Sequence, residues 1–244
     1  MPRPADDMSG RTVLITGASS GIGEAGAKAL AAAGARVVMV ARDAERGERA
    51  LAHVSDAAGN GGSAELLLAD LSSQRQLRDL AAQVLERYEP IDVLVNNAGA
   101  FNGRRTLTED GLETTFAVNH LAPFLLTNLL LNRLRASEPA RIVTVSSGAH
   151  GGGTIAFDDL GGEARYSGWR AYNQSKLANI LFTVALAQER LKPRPGGRAD
   201  EAKRYGEERE NHQWCGHHER AFMGFVGRAS RLSQISVFRL GGFF

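Results

Sequence analysis

Short apolar runs rich in β-branched residues alternate along most of the chain with longer stretches whose apolar positions recur every three or four residues. The short runs predict strands buried on both faces, and the longer periodicity predicts helices lying against them. "RTVLITG" reads as a first strand and "GIGEAGAKALAAAG" as an Ala-rich helix closed by Gly34. The pairing repeats in "ARVVMVARD" with "DAERGERALAHVSDAAG", and in "SAELLLADL" with "SSQRQLRDLAAQVLERY". "PIDVLVNNAG" is a fourth strand, a long helix is expected over 109–136, and "ARIVTVSS" is a fifth strand. After a Gly-rich loop the last helix of the pattern covers 169–192. Such alternation predicts βαβ units, and so an α/β fold with a doubly wound parallel sheet in three α/β/α layers.

The pattern stops at residue 193. From there to residue 220 the chain has no Val, Ile, Leu, Phe or Met, which predicts an exposed linker in place of a sixth strand. The division expected is therefore a nucleotide-binding unit over 1–192 and an atypical tail over 193–244, leaving the sheet incomplete at its C-terminal edge. The composition change is of the kind a frameshift or an alternative ending produces. Only "LSQISVFRL", near the end, alternates well enough to offer a replacement strand.

Composition narrows the function classes. Of 244 residues, 43% are hydrophobic and 23% charged, as in an ordinary globular protein. The 29 basic and 27 acidic residues nearly cancel, which argues against a nucleic-acid or membrane surface and for small-molecule chemistry. Cys215 is the one cysteine, so no intrachain disulfide forms. "MPRPADDMSG" has no apolar leader, and no continuous apolar run approaches the length of a membrane span. A cytoplasmic protein is expected. "FLLTNLLLNRL" is read as a core helix or subunit contact, and "HQWCGHH" matches none of the usual zinc-ligand spacings.

The chemistry begins at "TGASSGIG", residues 16–23, between the first strand and the first helix. Glycines there allow a tight turn and close approach of a pyrophosphate to the free N–H groups of the helix N-terminus. The residues expected in that contact are Gly17, Ser19, Ser20, Gly21, Ile22 and Gly23. Further on, "AYNQSK" places Tyr172 and Lys176 one helical turn apart on the same face. A carbonyl that accepts hydride becomes an alkoxide and needs both a proton donor and a hydrogen-bond donor at its oxygen. Tyr172 suits the first role and Ser147 the second, while an ammonium beside a phenol favours its anion.

These motifs, with "NNAG" at residues 96–99 and Asn119 in "FAVNHLAPF", resemble the short-chain dehydrogenase/reductase family. The phrases "TEDGLETTFAVNHLAPFLLTNLLL" and "AYNQSKLANILFT", and the long spacing from Ser147 to Tyr172, are most similar to its retinol dehydrogenase-like branch. The resemblance covers about residues 9–192 and implies a Rossmann fold. It further implies hydride transfer between a nicotinamide cofactor and a carbonyl or alcohol, with a lipophilic aldehyde, ketone or alcohol as substrate. The implied catalytic set is Asn119, Ser147, Tyr172 and Lys176. Lys176 would also bind the nicotinamide ribose, and Asn119 would help to hold a water linking the lysine to solvent. Asn97, Ala98 and Gly99 would line the cofactor cleft, and Asp70 with Leu71 would lie at the adenine. An alternative for Asp70 is a helix N-cap before "SSQRQ". Arg42, at the end of the second strand, favours NADP, whereas a one-residue shift would put Asp43 there and favour NAD. Relatives of this kind form dimers or tetramers through their long helices, which implies a homo-oligomer. Two function classes follow: an NADP-dependent oxidoreductase, carried by the Asn-Ser-Tyr-Lys set, and a catalytically silent nucleotide- or partner-binding chain, carried by the departing tail.

Overall fold

Strand β1 (Thr12–Thr16) is buried along its whole length. Its side chains alternate between two apolar layers: Val13 and Ile15 face one way, Leu14 the other. In the computed structural model, which describes residues 7–59, 61–137, 140–191 and 235–240, this strand is at the centre of a six-stranded sheet. β2 (Arg36–Ala41), β3 (Ser63–Leu68), β4 (Val93–Asn96) and β5 (Ala140–Val145) run parallel to it in the order β3-β2-β1-β4-β5. The order reverses between β1 and β4, and the carboxyl ends of those two strands bound the crevice in which such sheets take ligands.

Helices α1 (Gly21–Ala32) and α2 (Ala44–Asp56) cover one face, where Ala27, Ala31, Ala50 and Val54 meet Val13, Ile15, Val37 and Met39. On the other face lie α3 (Gln74–Arg87) and a long helix made of α4 (Thr114–Phe116), a π-turn (Ala117–Leu121) and α5 (Ala122–Ala136). There Leu77, Leu80, Val84, Leu126, Leu130 and Leu134 close over Leu14, Val38 and Ile142. Each such leucine, removed from water, contributes roughly 1.5–3 kcal/mol before entropy is counted. Helix α6 (Gly168–Leu191) follows β5 and a short 3₁₀ turn (Gly148–Gly152). A buried carboxylate ties the starts of β1 and β4 together. Asp92 accepts from Arg11 Nη1 at 2.7 Å and from the Thr12 N–H at 2.8 Å.

Three expectations change. The long helix begins at Thr114, not near residue 109, because Gly111 turns the chain at φ 75° and the Glu113 carboxylate caps the N–H groups of Thr115 and Phe116. Helix α3 is capped by Ser73, whose side chain accepts from Gln76 N, so the N-cap alternative for Asp70 falls. The sheet gains a sixth strand from the C-terminal run: β6 (Ile235–Leu240) pairs antiparallel with β5 and satisfies backbone groups that would otherwise be an open edge. Thr114–Ala136 is long and apolar enough to cross a membrane by length and composition alone, and 56% of its most apolar window is buried inside the protein, as expected of the core helix read from "FLLTNLLLNRL". The linker and the "HQWCGHH" cluster lie outside the described residues.

Candidate active site

The turn after β1 is built by close approach. Gly17 has φ 67°, and a Cβ there would lie 2.8 Å from Ala98 Cα. Gly23, in the first turn of α1, has its would-be Cβ against the Gly17 carbonyl oxygen and 2.5 Å from Asn97 Nδ2. Neither position has room for a side chain. Asn97 supplies much of the clasp: its Nδ2 donates to the carbonyls of Thr16 (2.9 Å) and Gly17 (3.1 Å), and its N–H donates to Thr16 Oγ1 at 3.1 Å. The Ala98 N–H donates to that same hydroxyl at 3.1 Å. The glycine turn and the end of β4 thus form one rigid rim on the crevice. Ser20 makes no side-chain cap on α1, so the first N–H groups of the helix remain for an acceptor from outside the chain. Ser20, Gly21 and Ile22 are exposed on this rim and Ser19 is half-buried.

Across the crevice the π-turn carries Asn119, which is fully buried. Its Oδ1 accepts the Ala100 N–H at 2.6 Å, and its Nδ2 donates to the Ala100 carbonyl and to Ser175 Oγ, each at 3.0 Å. The side-chain amide therefore acts as a bridge between the loop after β4 and helix α6. Ser175 Oγ in turn donates to the Tyr172 carbonyl at 2.7 Å.

Tyr172 and Lys176 share the face of α6 turned to the crevice, with Lys176 Nζ 5.5 Å from the centre of the Tyr172 ring. Lys176 is only 4% exposed, and burial pushes its ammonium below the ordinary lysine range. Nζ donates to the Val145 carbonyl at 3.2 Å and would lie 3.6 Å from a Cβ placed on Gly99. A second bond, Ser146 Oγ to the Lys176 carbonyl at 2.8 Å, fixes the same turn of α6 to the end of β5. Ser147 follows, half-buried; its Oγ accepts the Ala149 N–H at 3.2 Å, which leaves the hydroxyl hydrogen for another acceptor.

Arg42 is the first residue beyond β2 and is exposed; Asp43, beside it, is the N-cap of α2 and accepts from Arg46 N at 2.8 Å. Asp70 is half-buried after β3, its Oδ1 taken by the Ser72 N–H at 2.9 Å, and Leu71 packs against the core. Arg42 and Asp70 thus stand at the ends of neighbouring strands, on the same edge of the sheet as the glycine turn. The sequence reading missed the residues that hold this arrangement, Thr16, Ser175 and Asn179, and the aromatic neighbours of Tyr172. Phe101 and Trp169, 48% and 66% exposed, approach the Tyr172 ring at 5.9 and 6.4 Å and each other at 5.1 Å. The available signal was helical spacing, since Trp169 and Asn179 lie three before and seven after Tyr172.

Comparison with known proteins agrees with this geometry. The chain is 47% identical over 190 residues to retinol dehydrogenase 14 of Mus musculus, a match covering 74% of this chain and 57% of that protein. It thus spans a little over half the length of the curated relatives it matches. Among solved structures it resembles an uncharacterised protein from Mycobacterium paratuberculosis (43% identity, TM-score 0.66, 75% of this chain and 63% of that one). It also resembles a metagenomic short-chain oxidoreductase in complex with NADP (32% identity, TM-score 0.61, 75% and 77%). The model of the short chain dehydrogenase family matches residues 11–194, the whole span from β1 to the end of α6, and this chain belongs to that family.

Proposed function

We propose that the chain transfers hydride between NADP(H) and the carbonyl or alcohol group of an apolar substrate. The observation that carries this reading is a buried lysine beside a tyrosine on the face of α6 turned to the crevice, whose other rim is a side-chain-free glycine cradle. The residues fit a dinucleotide. Gly17, Gly21 and Gly23 with the first N–H groups of α1 would hold the pyrophosphate, Asn97, Ala98 and Gly99 would line the nicotinamide half, and Asp70 with Leu71 would border the adenine. NADP is favoured over NAD because Arg42 is exposed at the end of β2, whereas the Asp43 carboxylate already caps α2. The structural relative holding NADP supports the same choice.

When bound, the cofactor supplies or accepts the hydride. In the reducing direction the Ser147 hydroxyl donates a hydrogen bond to the substrate oxygen, and Tyr172 gives its phenolic proton to that oxygen as the alkoxide forms. Lys176, held by the Val145 carbonyl, brings positive charge to the phenolate left behind, and its ammonium would also hold the nicotinamide ribose. Asn119 keeps the loop after β4 and helix α6 in register, and it would help to hold a water leading from the lysine to solvent. Phe101 and Trp169 form an apolar wall around the reacting tyrosine, which selects a lipophilic aldehyde, ketone or alcohol over a small polar one. A homo-oligomer in the cytoplasm, with contacts along the long helices, completes the reading.

The test is NADPH oxidation with a panel of apolar aldehydes and ketones, with Tyr172→Phe as control. The variant is expected to lose on the order of 10²–10⁴-fold in kcat while its NADPH affinity stays within a few-fold of the parent. Turnover that survives the loss of the hydroxyl would remove Tyr172 from the reaction.

A further inference from the structure

Asn119 lies four residues before Pro123. In a regular α-helix its carbonyl would accept the N–H of residue 123, and proline has none. The helix widens here into the π-turn, with the Ala122 N–H reaching back to the Ala117 carbonyl. The Asn119 carbonyl takes its hydrogen bond from another element: Asn179 Nδ2 on α6 donates to it at 2.8 Å. Asn179 is 2% exposed and is itself oriented, its Oδ1 lying 3.1 Å from His120 Nδ1. Because Asn179 turns its Nδ2 to the Asn119 carbonyl, its Oδ1 faces His120 and can only accept, so His120 carries hydrogen on Nδ1. The ring of His120 is buried among Phe116, Phe124 and Phe182, at centroid distances of 5.2, 6.3 and 6.3 Å.

Resting on the function proposed above, we propose that Asn179, held by His120, is a positioning residue for Tyr172 and Lys176: it supplies the hydrogen bond that Pro123 withholds from Asn119 and so fixes α6 against the π-turn. Asn119 then holds α6 at two points on either side of Lys176. Its side chain takes Ser175 Oγ and its carbonyl takes Asn179 Nδ2. Sliding of α6 is opposed at both, and the placing of Lys176 Nζ between the Val145 carbonyl and Gly99 depends on that register. Asn179 touches neither cofactor nor substrate in this scheme.

Asn179→Leu keeps similar volume and removes the donor. It is expected to lower kcat on the order of 10–100-fold, the scale of an ångström-sized misplacement, with KM for NADPH changed by less than about threefold. Pro123→Ala restores a backbone N–H four residues after Asn119. Added to Asn179→Leu it is expected to recover about tenfold or more of the lost kcat, while alone it leaves kcat within about threefold of the parent. An Asn179→Leu protein that melts cooperatively and keeps the parental kcat overturns the proposal. So does a double variant no faster than the single one. The hydrogen-bond arrangement is also read without turnover, by ¹⁵N NMR of the His120 ring in the full chain with NADPH. The neutral Nδ1–H tautomer is expected, and an Nε2–H tautomer overturns the assignment even if Asn179→Leu should fail to fold. A parent that shows the Nδ1–H tautomer but reduces no carbonyl would sink the function proposed above and leave the His120–Asn179–Asn119 bond standing.

Discussion

His120 should make the protein sensitive to mild acid. The ring is 4% exposed, and burial lowers its pKa from 6.5 to about 4, partly opposed by the bond to Asn179. In the unfolded chain it titrates near 6.5, so between pH 6.5 and 4 the unfolded state binds the extra proton and the folded state does not. Stability due to this group is therefore intact above pH 6.5 and is lost as pH falls toward 4. At about 1.4 kcal/mol for each pKa unit the full loss is about 3–4 kcal/mol, a large part of a typical 5–15 kcal/mol. It corresponds to roughly 7–14 °C in Tm for a chain of this size. Surface carboxylates such as Glu24, whose pKa the His53 hydrogen bond lowers, add their own acid loss below 4.5. The quantity to measure is accordingly a difference. Urea unfolding of the parent and of His120→Gln, which cannot titrate here but keeps an amide donor for Asn179, would be compared from pH 7.5 to pH 4.5. The parent should lose stability more steeply than the variant below pH 6.5. Parallel curves, or an NMR titration of His120 near 6.5, would refute the burial argument.

Two further outcomes test the crevice. Gly23→Ala puts a methyl against the Gly17 carbonyl and 2.5 Å from Asn97 Nδ2, so α1 must move off the glycine turn. A loss of at least about tenfold in NADPH affinity by fluorescence titration, with a lowered Tm, is expected because the cradle depends on that approach. Arg42→Ala should weaken NADPH by about 10–100-fold, the worth of a charge-assisted phosphate contact, and leave NADH binding nearly unchanged. Equal losses for the two cofactors would assign Arg42 to something other than the 2′-phosphate.

Local pattern alone determined the five parallel strands, because a strand buried on both faces leaves a continuous β-branched run that needs no knowledge of its neighbours. The glycine turn and the Tyr172–Lys176 spacing were legible for a similar reason: a close backbone approach and a shared helical face are both written in residues a few positions apart. What depended on distant partners was not legible. The start of the long helix moved to Thr114 because the Glu113 carboxylate, held also by the Tyr166 hydroxyl, caps it there. The antiparallel seating of β6 on β5 joins segments nearly a hundred residues apart, a pairing that alternation in "ISVFRL" does not specify. The π-turn is the clearest case. Pro123 signals that the Asn119 carbonyl lacks its ordinary donor, but only the packing of α6 decides that Asn179, oriented by His120, provides one. An orphaned polar group can be found by inspection of the sequence, whereas the partner that satisfies it is chosen by which side chains the tertiary fold brings within hydrogen-bonding distance.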